Sequence, residues 1–284
     1  MDIKKVCVVG AGQMGNGIAQ IVATAGFQVI MIDTSQQFLD KAKSTITESL
    51  ARMAKKGTLK EEEQTIIGRI KESLRLEDAK DCDVLIEAIF ENADLKKELL
   101  KKLDPICPEK TIFMTNTSQF SITLLASVTQ RRDRFIGTHW FNPAVLMRLI
   151  EVVIGLETSE ETLQTTLDFC QKLGKETVVC RKDVTGFITT RFIWAMRIEA
   201  IRMYEEGLAS PEEIDKAIKL ALNYPMGPFE MMDFGHLDLS LSVVTSLYQT
   251  YGERFLPPQS LKHLVNSGYL GRRHGRGWLT YEKK

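Results

Sequence analysis

Three glycines stand at G-x-G-x-x-G spacing in Gly10-Ala11-Gly12-Gln13-Met14-Gly15, directly after the apolar run Val6-Cys7-Val8-Val9. Between a buried strand and a helix, that pattern suits a pyrophosphate. Gly10 permits the tight turn, Gly12 lets the backbone approach the phosphates, and Gly15 lets helix and strand pack closely. The helix N-terminus then offers its N–H groups to the anion. Asp33 follows 18 residues after Gly15, closing a second strand-like run. A carboxylate there accepts hydrogen bonds from both ribose hydroxyls of an adenosine and repels a 2′-phosphate, which predicts NAD(H) over NADP(H). The competing explanation is a turn whose glycines serve packing alone, with Asp33 as a helix cap.

Histidines are the second candidates for chemistry, and there are four. His263 and His274 lie in basic segments expected to be exposed, and His236 sits beside a glycine at a helix start. His139 differs: it ends the run Phe135 to Thr138 and precedes Trp140-Phe141-Asn142-Pro143. The C-terminal edge of an open parallel sheet is where such sheets bind ligands, and imidazole exchanges protons near neutrality. Set among aromatics, the same ring could equally be a hydrogen-bonded core residue.

These residues need a sheet to hold them. Short apolar runs at Val6–Val9, Phe27–Ile32, Asp83–Ile89 and Thr111–Met114 carry the pattern of strands buried on both faces. Phe135–Thr138, Leu149–Ile154 and Thr177–Cys180 are further strand candidates. Helical stretches fall between them: Ile18–Ala25, a charged pair at Gln36–Lys56 and Glu61–Ser73 broken at Gly57-Thr58, and Ala93–Leu103. Alternation of this kind implies βαβ units on a mostly parallel, Rossmann-type α/β sheet. Beyond Gly186 strand signals largely cease. Phe187–Glu205, Pro211–Leu222 (capped by Ser210) and Leu237–Tyr251 are expected helices. The chain therefore divides into an α/β domain over 1–184, with a helical hairpin insertion, and an all-helical domain over 185–284.

At 284 residues the chain has room for two domains. With 44% apolar and 26% charged residues it is neither disordered nor collagen-like. Lys+Arg and Asp+Glu both number 37, so the field that nucleic acid or an acidic membrane demands is missing. Five widely spaced cysteines without Cys-x-x-Cys argue against a disulfide framework and against any metal site. No run approaches the roughly 18 apolar residues of a membrane span, and the N-terminus enters a strand with no room for a signal peptide. A cytoplasmic location is the expectation.

Several longer segments carry a resemblance. Gly-Ala-Gly-Gln-Met-Gly-Asn-Gly-Ile-Ala from Gly10, Glu-Ala-Ile-Phe-Glu-Asn from Glu87, Thr-Asn-Thr-Ser from Thr115, Gly-Thr-His-Trp-Phe-Asn-Pro from Gly137 and Tyr-Pro-Met-Gly-Pro-Phe-Glu from Tyr224 resemble the short-chain L-3-hydroxyacyl-CoA dehydrogenases. The likeness spans essentially the whole chain, and several motifs in the right order are far more specific than one glycine loop. It implies NAD-dependent oxidation of a (3S)-hydroxyacyl-CoA, of the 3-hydroxybutyryl type, to the 3-ketoacyl-CoA. It also implies a homodimer through the helical domain. His139 matches the family's base and Glu151 its carboxylate partner. Ser118 and Asn116 match residues that contact substrate oxygen and nicotinamide. Gln13, Met14, Ala88, Glu91, Lys96 and Asn142 join the glycines and Asp33 at cofactor-contacting positions. Lys55 and Lys56 fall where the family places basic residues toward CoA, although a solvated helix end explains them almost as well.

There are two departures from the family pattern. The loss of its proline, at Thr185, loosens the turn but need not alter chemistry, while Thr190 bears on substrate. Where the family shows Pro-Gly-Phe-x-x-Asn-Arg, this chain has Thr185-Gly186-Phe187-Ile188-Thr189-Thr190-Arg191. Thr190 thus offers one short hydroxyl in place of an amide that helps hold substrate, which predicts altered substrate choice or a lowered rate. Two other functions remain open at this point: a dehydrogenase of a free 3-hydroxy acid, and a non-catalytic NAD(H)-binding protein.

Overall fold

The computed structural model describes residues 1–282. The chain forms two compact units, Met1–Val184 and a second from Thr185 onward.

The first unit is built in the order β1 (Lys5–Val9), α1 (Gln13–Thr24), β2 (Gln28–Ile32), α2 (Gln36–Lys55), α3 (Glu63–Gly68), β3 (Ile70–Ser73), β4 (Val84–Glu87), α4 (Ala93–Leu103), β5 (Ile112–Thr115), α5 (Ile122–Ala126), β6 (Phe135–Trp140), β7 (Leu149–Ile154), α6 (Glu160–Lys172) and β8 (Glu176–Cys180). One eight-stranded sheet results, ordered β3-β2-β1-β4-β5-β6-β7-β8. All neighbours are parallel except β6 and β7. The chain runs outward from β1 to β3, then returns to β4 on the other side of β1. That reversal opens a crevice at the C-terminal ends of β1 and β4, the place where open α/β sheets take ligands. Strands of this kind are apolar on both faces because helices cover both. Val8, Ile18, Met31, Leu39, Ile86 and Met114 accordingly meet in one buried core.

The short helix α5, like the helices Pro228–Phe234 and Gln259–Asn266 of the second unit, was not foreseen, and three further local outcomes differ from the sequence reading. The segment expected as a helix to Ser73 ends at Gly68, and Ile70–Ser73 becomes β3, pairing Val29 with Ile70 and Ile32 with Ser73. The edge of β2 would otherwise leave a row of backbone groups unpaired, and four residues cannot declare a period. α1 begins at Gln13, five residues earlier than the apolar stripe indicates, because the glycine turn itself enters the helix. α6 was not foreseen. Its Ser159 hydroxyl accepts from Thr162 N, and it buries Leu163, Phe169 and Cys170.

The second unit contains α7 (Thr189–Glu205), α8 (Pro211–Leu222), α9 (Pro228–Phe234), α10 (Leu237–Tyr251) and α11 (Gln259–Asn266). Trp194, Ile198, Phe229, Val244, Leu247 and Leu261 form its core. Ser210 and Glu213 cap α8 reciprocally. Two buried aspartates tie the remainder together. Asp215 accepts from Phe229 N and Glu230 N at the start of α9. Asp233 accepts from Trp278 N, Leu279 N and the Tyr281 hydroxyl, pinning the tail. The five cysteines of the chain are all free and buried.

Candidate active site

The glycine turn has the shape that its spacing foretells. Gly10 sits at φ +104°, and a Cβ there would lie 2.5 Å from the Ala88 carbonyl oxygen. A Cβ on Gly15 would lie 1.7 Å from the Gly10 carbonyl oxygen, so β1, β4 and α1 approach too closely for any side chain. Gly12 faces open space, and no side chain caps the N-terminus of α1. Its first N–H groups are therefore available to an anion. Asp33 closes β2, its carboxylate accepting from Ala11 N at 2.7 Å and Thr34 N at 2.7 Å. Gln13 Nε2 donates to Asn142 Oδ1 at 2.9 Å, joining the turn to the segment after β6. A turn open at Gly12, an uncapped helix start and a carboxylate one strand away fit a dinucleotide.

Beside the turn, β4 and β5 end in a buried polar cluster. Glu87 and Lys96 are both fully buried. Lys96 Nζ donates to Glu87 Oε1 at 2.7 Å and to the Asn116 carbonyl at 3.2 Å, and lies 3.2 Å from Glu91 Oε2. Two of its N–H groups are thereby used, and its charge faces two carboxylates. Glu91 Oε1 in turn accepts from Thr117 Oγ1 at 2.6 Å and Ser118 N at 2.9 Å. The half-buried Ser118 is held by its backbone, leaving its hydroxyl to turn toward a ligand. Asn116 Oδ1 accepts from Trp140 N at 3.1 Å, which fastens the end of β5 to the end of β6.

His139 and Glu151 are twelve residues apart in sequence but opposite one another in the sheet. β6 and β7 are antiparallel, and their register sets His139 against Glu151. Directly opposed residues on one face have their Cβ atoms within about 5.5 Å, and here Nδ1 meets Glu151 Oε2 at 2.6 Å. Glu151 is fully buried, and the His139 ring packs against Phe141 with centroids 4.5 Å apart. A carboxylate accepts only, so Nδ1 carries the proton and the tautomer is set. Lys175 steadies the segment beyond: its ammonium donates to the carbonyls of Ala144 and Met147, at 2.7 and 2.6 Å. Burial holds its pKa below the ordinary lysine value.

The four strands β1, β4, β5 and β6 are parallel, so Gly10, Ala88, Glu91, Asn116, Ser118, His139 and Asn142 gather at one sheet edge. Other expected residues stand elsewhere. Lys55 and Lys56 are exposed at the far end of α2, about 30 Å of helix from its start near Asp33. Thr190 is the second residue of α7, half-buried, in the other unit. Nearby, Thr185 Oγ1 lies 2.8 Å from Thr250 Oγ1, and the Thr185 carbonyl accepts from Tyr251 at 3.0 Å. Those bonds hold the turn where the family's proline is missing. The sequence reading passed over Glu87 and Lys175. An acid inside the apolar run Val84-Leu85-Ile86-Glu87 was a legible signal, since a buried charge requires partners. Lys175 gave none, because its partners are backbone carbonyls.

Residues 5–184 match the family model of the 3-hydroxyacyl-CoA dehydrogenase NAD binding domain, and residues 186–281 match that of the C-terminal domain. The chain belongs to the 3-hydroxyacyl-CoA dehydrogenase family. A Bacillus subtilis protein named probable 3-hydroxybutyryl-CoA dehydrogenase is 44% identical over 286 residues, covering 100% of this chain and 99% of that one. A Deinococcus radiodurans protein of the same name is 42% identical over 278 residues, covering 98% and 100%. The crystal structure of (S)-3-hydroxybutyryl-CoA dehydrogenase from Ralstonia eutropha matches with a TM-score of 0.95 and 43% identity, covering 99% of this chain and 100% of that one.

Proposed function

We propose that this family member oxidises the 3-hydroxyl of a short-chain (3S)-hydroxyacyl-CoA, of the 3-hydroxybutyryl type, to the 3-ketone with NAD, reversibly. The observation that carries the proposal is the 2.6 Å bond from His139 to Glu151 on the sheet edge that also bears the open glycine turn. A secondary alcohol releases hydride readily only while its hydroxyl proton is being removed, so a base near neutrality must touch that oxygen. Nδ1 is committed to Glu151, and proton transfer therefore falls to Nε2 of His139. The carboxylate holds the ring in place and balances the imidazolium as it forms. Ser118 donates its hydroxyl proton toward the reacting oxygen, as a dipole positioned for the changing charge. NAD, when bound, supplies the carbon that accepts hydride. Gly10, Gly12, Gln13, Met14 and Gly15 would hold its pyrophosphate, and Asp33 its adenosine ribose. Ala88, Glu91, Lys96, Asn116 and Asn142 would shape the nicotinamide end.

On this reading residues 1–184 serve the cofactor and supply the reacting side chains, together with Lys55 and Lys56, and residues 185–284 serve the substrate and the dimer. Thr190, Lys55 and Lys56 belong to the substrate side. Support for a homodimer is that Ile188 and Phe192 of the helical unit are large apolar residues 48% and 65% exposed, a surface that a second copy would cover. Free, buried cysteines accord with a reducing, cytoplasmic setting.

The deciding experiment mixes the protein with acetoacetyl-CoA and NADH and follows loss of NADH absorbance. Oxidation of NADH with the thioester, and little with free acetoacetate, is the expected result. Equal turnover of free acetoacetate would indicate a free-acid dehydrogenase, and tight NADH binding without oxidation a non-catalytic binder. Sedimentation at micromolar concentration should give a dimer; a stable monomer would overturn that part.

A further inference from the structure

We propose that Glu87 is a positioning residue of the reaction. It locks Lys96 beneath the crevice, so that Lys96 sets the Asn116–Ser118 segment and Glu91 from below. The proposal rests on the dehydrogenase reading but concerns a residue to which that reading gives no part.

Glu87 stands at the C-terminal end of β4, the strand beside β1 at the sheet's reversal point, opposite Val9 on one side and Thr115 on the other. It is fully buried, and each of its oxygens is spoken for. Oε1 accepts from Ile89 N at 2.8 Å and Lys96 Nζ at 2.7 Å, and Oε2 accepts from Thr115 Oγ1 at 2.6 Å. Its carbonyl accepts from Asn116 N at 2.8 Å. One residue thus fixes the chain leaving β4 and, at two points, the chain leaving β5.

Lys96 carries the constraint onward. Held by Glu87, it also donates to the Asn116 carbonyl and lies 3.2 Å from Glu91 Oε2. Asn116 reaches Trp140 N, next to His139. Glu91 reaches Ser118 N and Thr117 Oγ1. The pair thus reaches Asn116 directly and Ser118 through Glu91, both assigned to the reacting centre. With two of its N–H groups given to Glu87 and the Asn116 carbonyl and its charge set 3.2 Å from Glu91 Oε2, Lys96 acts on the reacting centre through Asn116 and Glu91 as well as by any contact of its own. Buried ion pairs cost desolvation that their attraction barely repays. Geometry is therefore the better account of this one: two formal charges at a fixed distance hold two loops that apolar packing would let slide. Misplacing reacting groups by about 1 Å can cost roughly 100-fold in rate.

The test compares Glu87→Gln, Lys96→Met and the double variant. Each is assayed for kcat and KM with acetoacetyl-CoA and NADH, for NADH affinity by fluorescence titration, and for Tm. Each single change leaves an unbalanced buried group and should lower Tm. The double change removes both charges and should recover most of that loss. Turnover should not recover: kcat is expected to stay about 10- to 100-fold down in the double variant, with KM within about threefold of the parent, and the losses should be non-additive. A double variant in which kcat returns together with Tm would reduce the pair to a fold element and overturn the proposal. So would Glu87→Gln with unimpaired kcat. Should these variants not fold, Glu87→Asp decides, because it keeps the charge while withdrawing the carboxylate by one methylene. Undiminished kcat in Glu87→Asp likewise rejects positioning. Failure of the activity reading shows separately, as an unsubstituted protein that binds NADH but turns over no acetoacetyl-CoA. In that event a change in bound-NADH emission in Glu87→Asp supports the positioning role, and an unaltered emission counts against it.

Discussion

At the scale of the residue, the site is two hydrogen-bonded arrangements that share a sheet edge. In the first, Glu151 engages Nδ1 of His139, which on the proposed function leaves Nε2 to meet the substrate. His139→Gln keeps size and polarity but cannot cycle a proton, and should lower kcat by about 10²–10⁴-fold while NADH affinity holds. Stopped-flow turnover beside a binding titration checks this, and comparable kcat in folded His139→Gln would refute the base assignment. To the second arrangement, around Lys96, the proposal assigns placement and no proton chemistry. Asp33 invites a different kind of test. Its carboxylate already accepts two backbone N–H groups, so it is rigid where a ribose would meet it. Asp33→Ser removes the charge that repels a 2′-phosphate and should narrow the preference for NADH over NADPH by about tenfold or more, read from the ratio of kcat/KM values. An unchanged ratio would mean that selectivity lies elsewhere. Thr190→Asn should likewise change rate or acyl-chain preference across a panel of hydroxyacyl-CoAs; indifference on both counts would remove Thr190 from the substrate site.

At the scale of the element, the most demanding position is Gly10. Its φ of +104° and the 2.5 Å approach to the Ala88 carbonyl act together, so Gly10→Ala should weaken NADH binding and lower stability by about 1–3 kcal/mol. Calorimetry with a binding titration would show both, and a variant of parental Tm and affinity would contradict the close packing of β1 on β4. This turn was legible in sequence because glycine spacing reports a local steric need. So were β7, α8 and α10, whose periods run long enough to declare themselves. What stayed hidden was hidden for physical reasons. β3 is four residues whose conformation is decided by the unpaired edge of β2. The facing of His139 and Glu151 depends on an antiparallel register, and a spacing of twelve says nothing about it. The Lys96 cluster needed β4, β5 and α4 in place before its charges had partners. Resemblance supplied the names of several of these residues in advance, and geometry supplied the reason for each.

At the scale of the molecule, the two units carry titratable groups of opposite tendency. In the first, the Ser73 hydroxyl donates to Asp78 and holds its carboxyl below the ordinary 3.8. Burial pushes Asp83 upward, but the N–H groups of Lys4 and Lys5 and the Lys110 ammonium outweigh it, and its pKa too is lowered. In the helical unit, burial outweighs the N–H donors around Asp215 and Asp233, and both carboxyls are raised. A lowered carboxyl stabilises the native unit above its unfolded pKa, and that contribution is lost as pH falls through the folded value. A raised one has the reverse sign: its contribution is complete below 3.8 and disappears as pH rises through the folded value. Acidification therefore works against the α/β unit through Asp78 and Asp83, and in favour of the helical unit through Asp215 and Asp233. Tryptophans separate the two responses, since Trp140 lies in the first unit and Trp194 and Trp278 in the second. In Trp140→Phe, fluorescence reports the helical unit alone, while the unsubstituted protein reports both. Between about pH 5 and 3, the thermal transition of the α/β unit should fall ahead of that seen in Trp140→Phe. Coincident transitions throughout that range, or earlier loss of the helical unit, would show that these four aspartates do not govern the acid response.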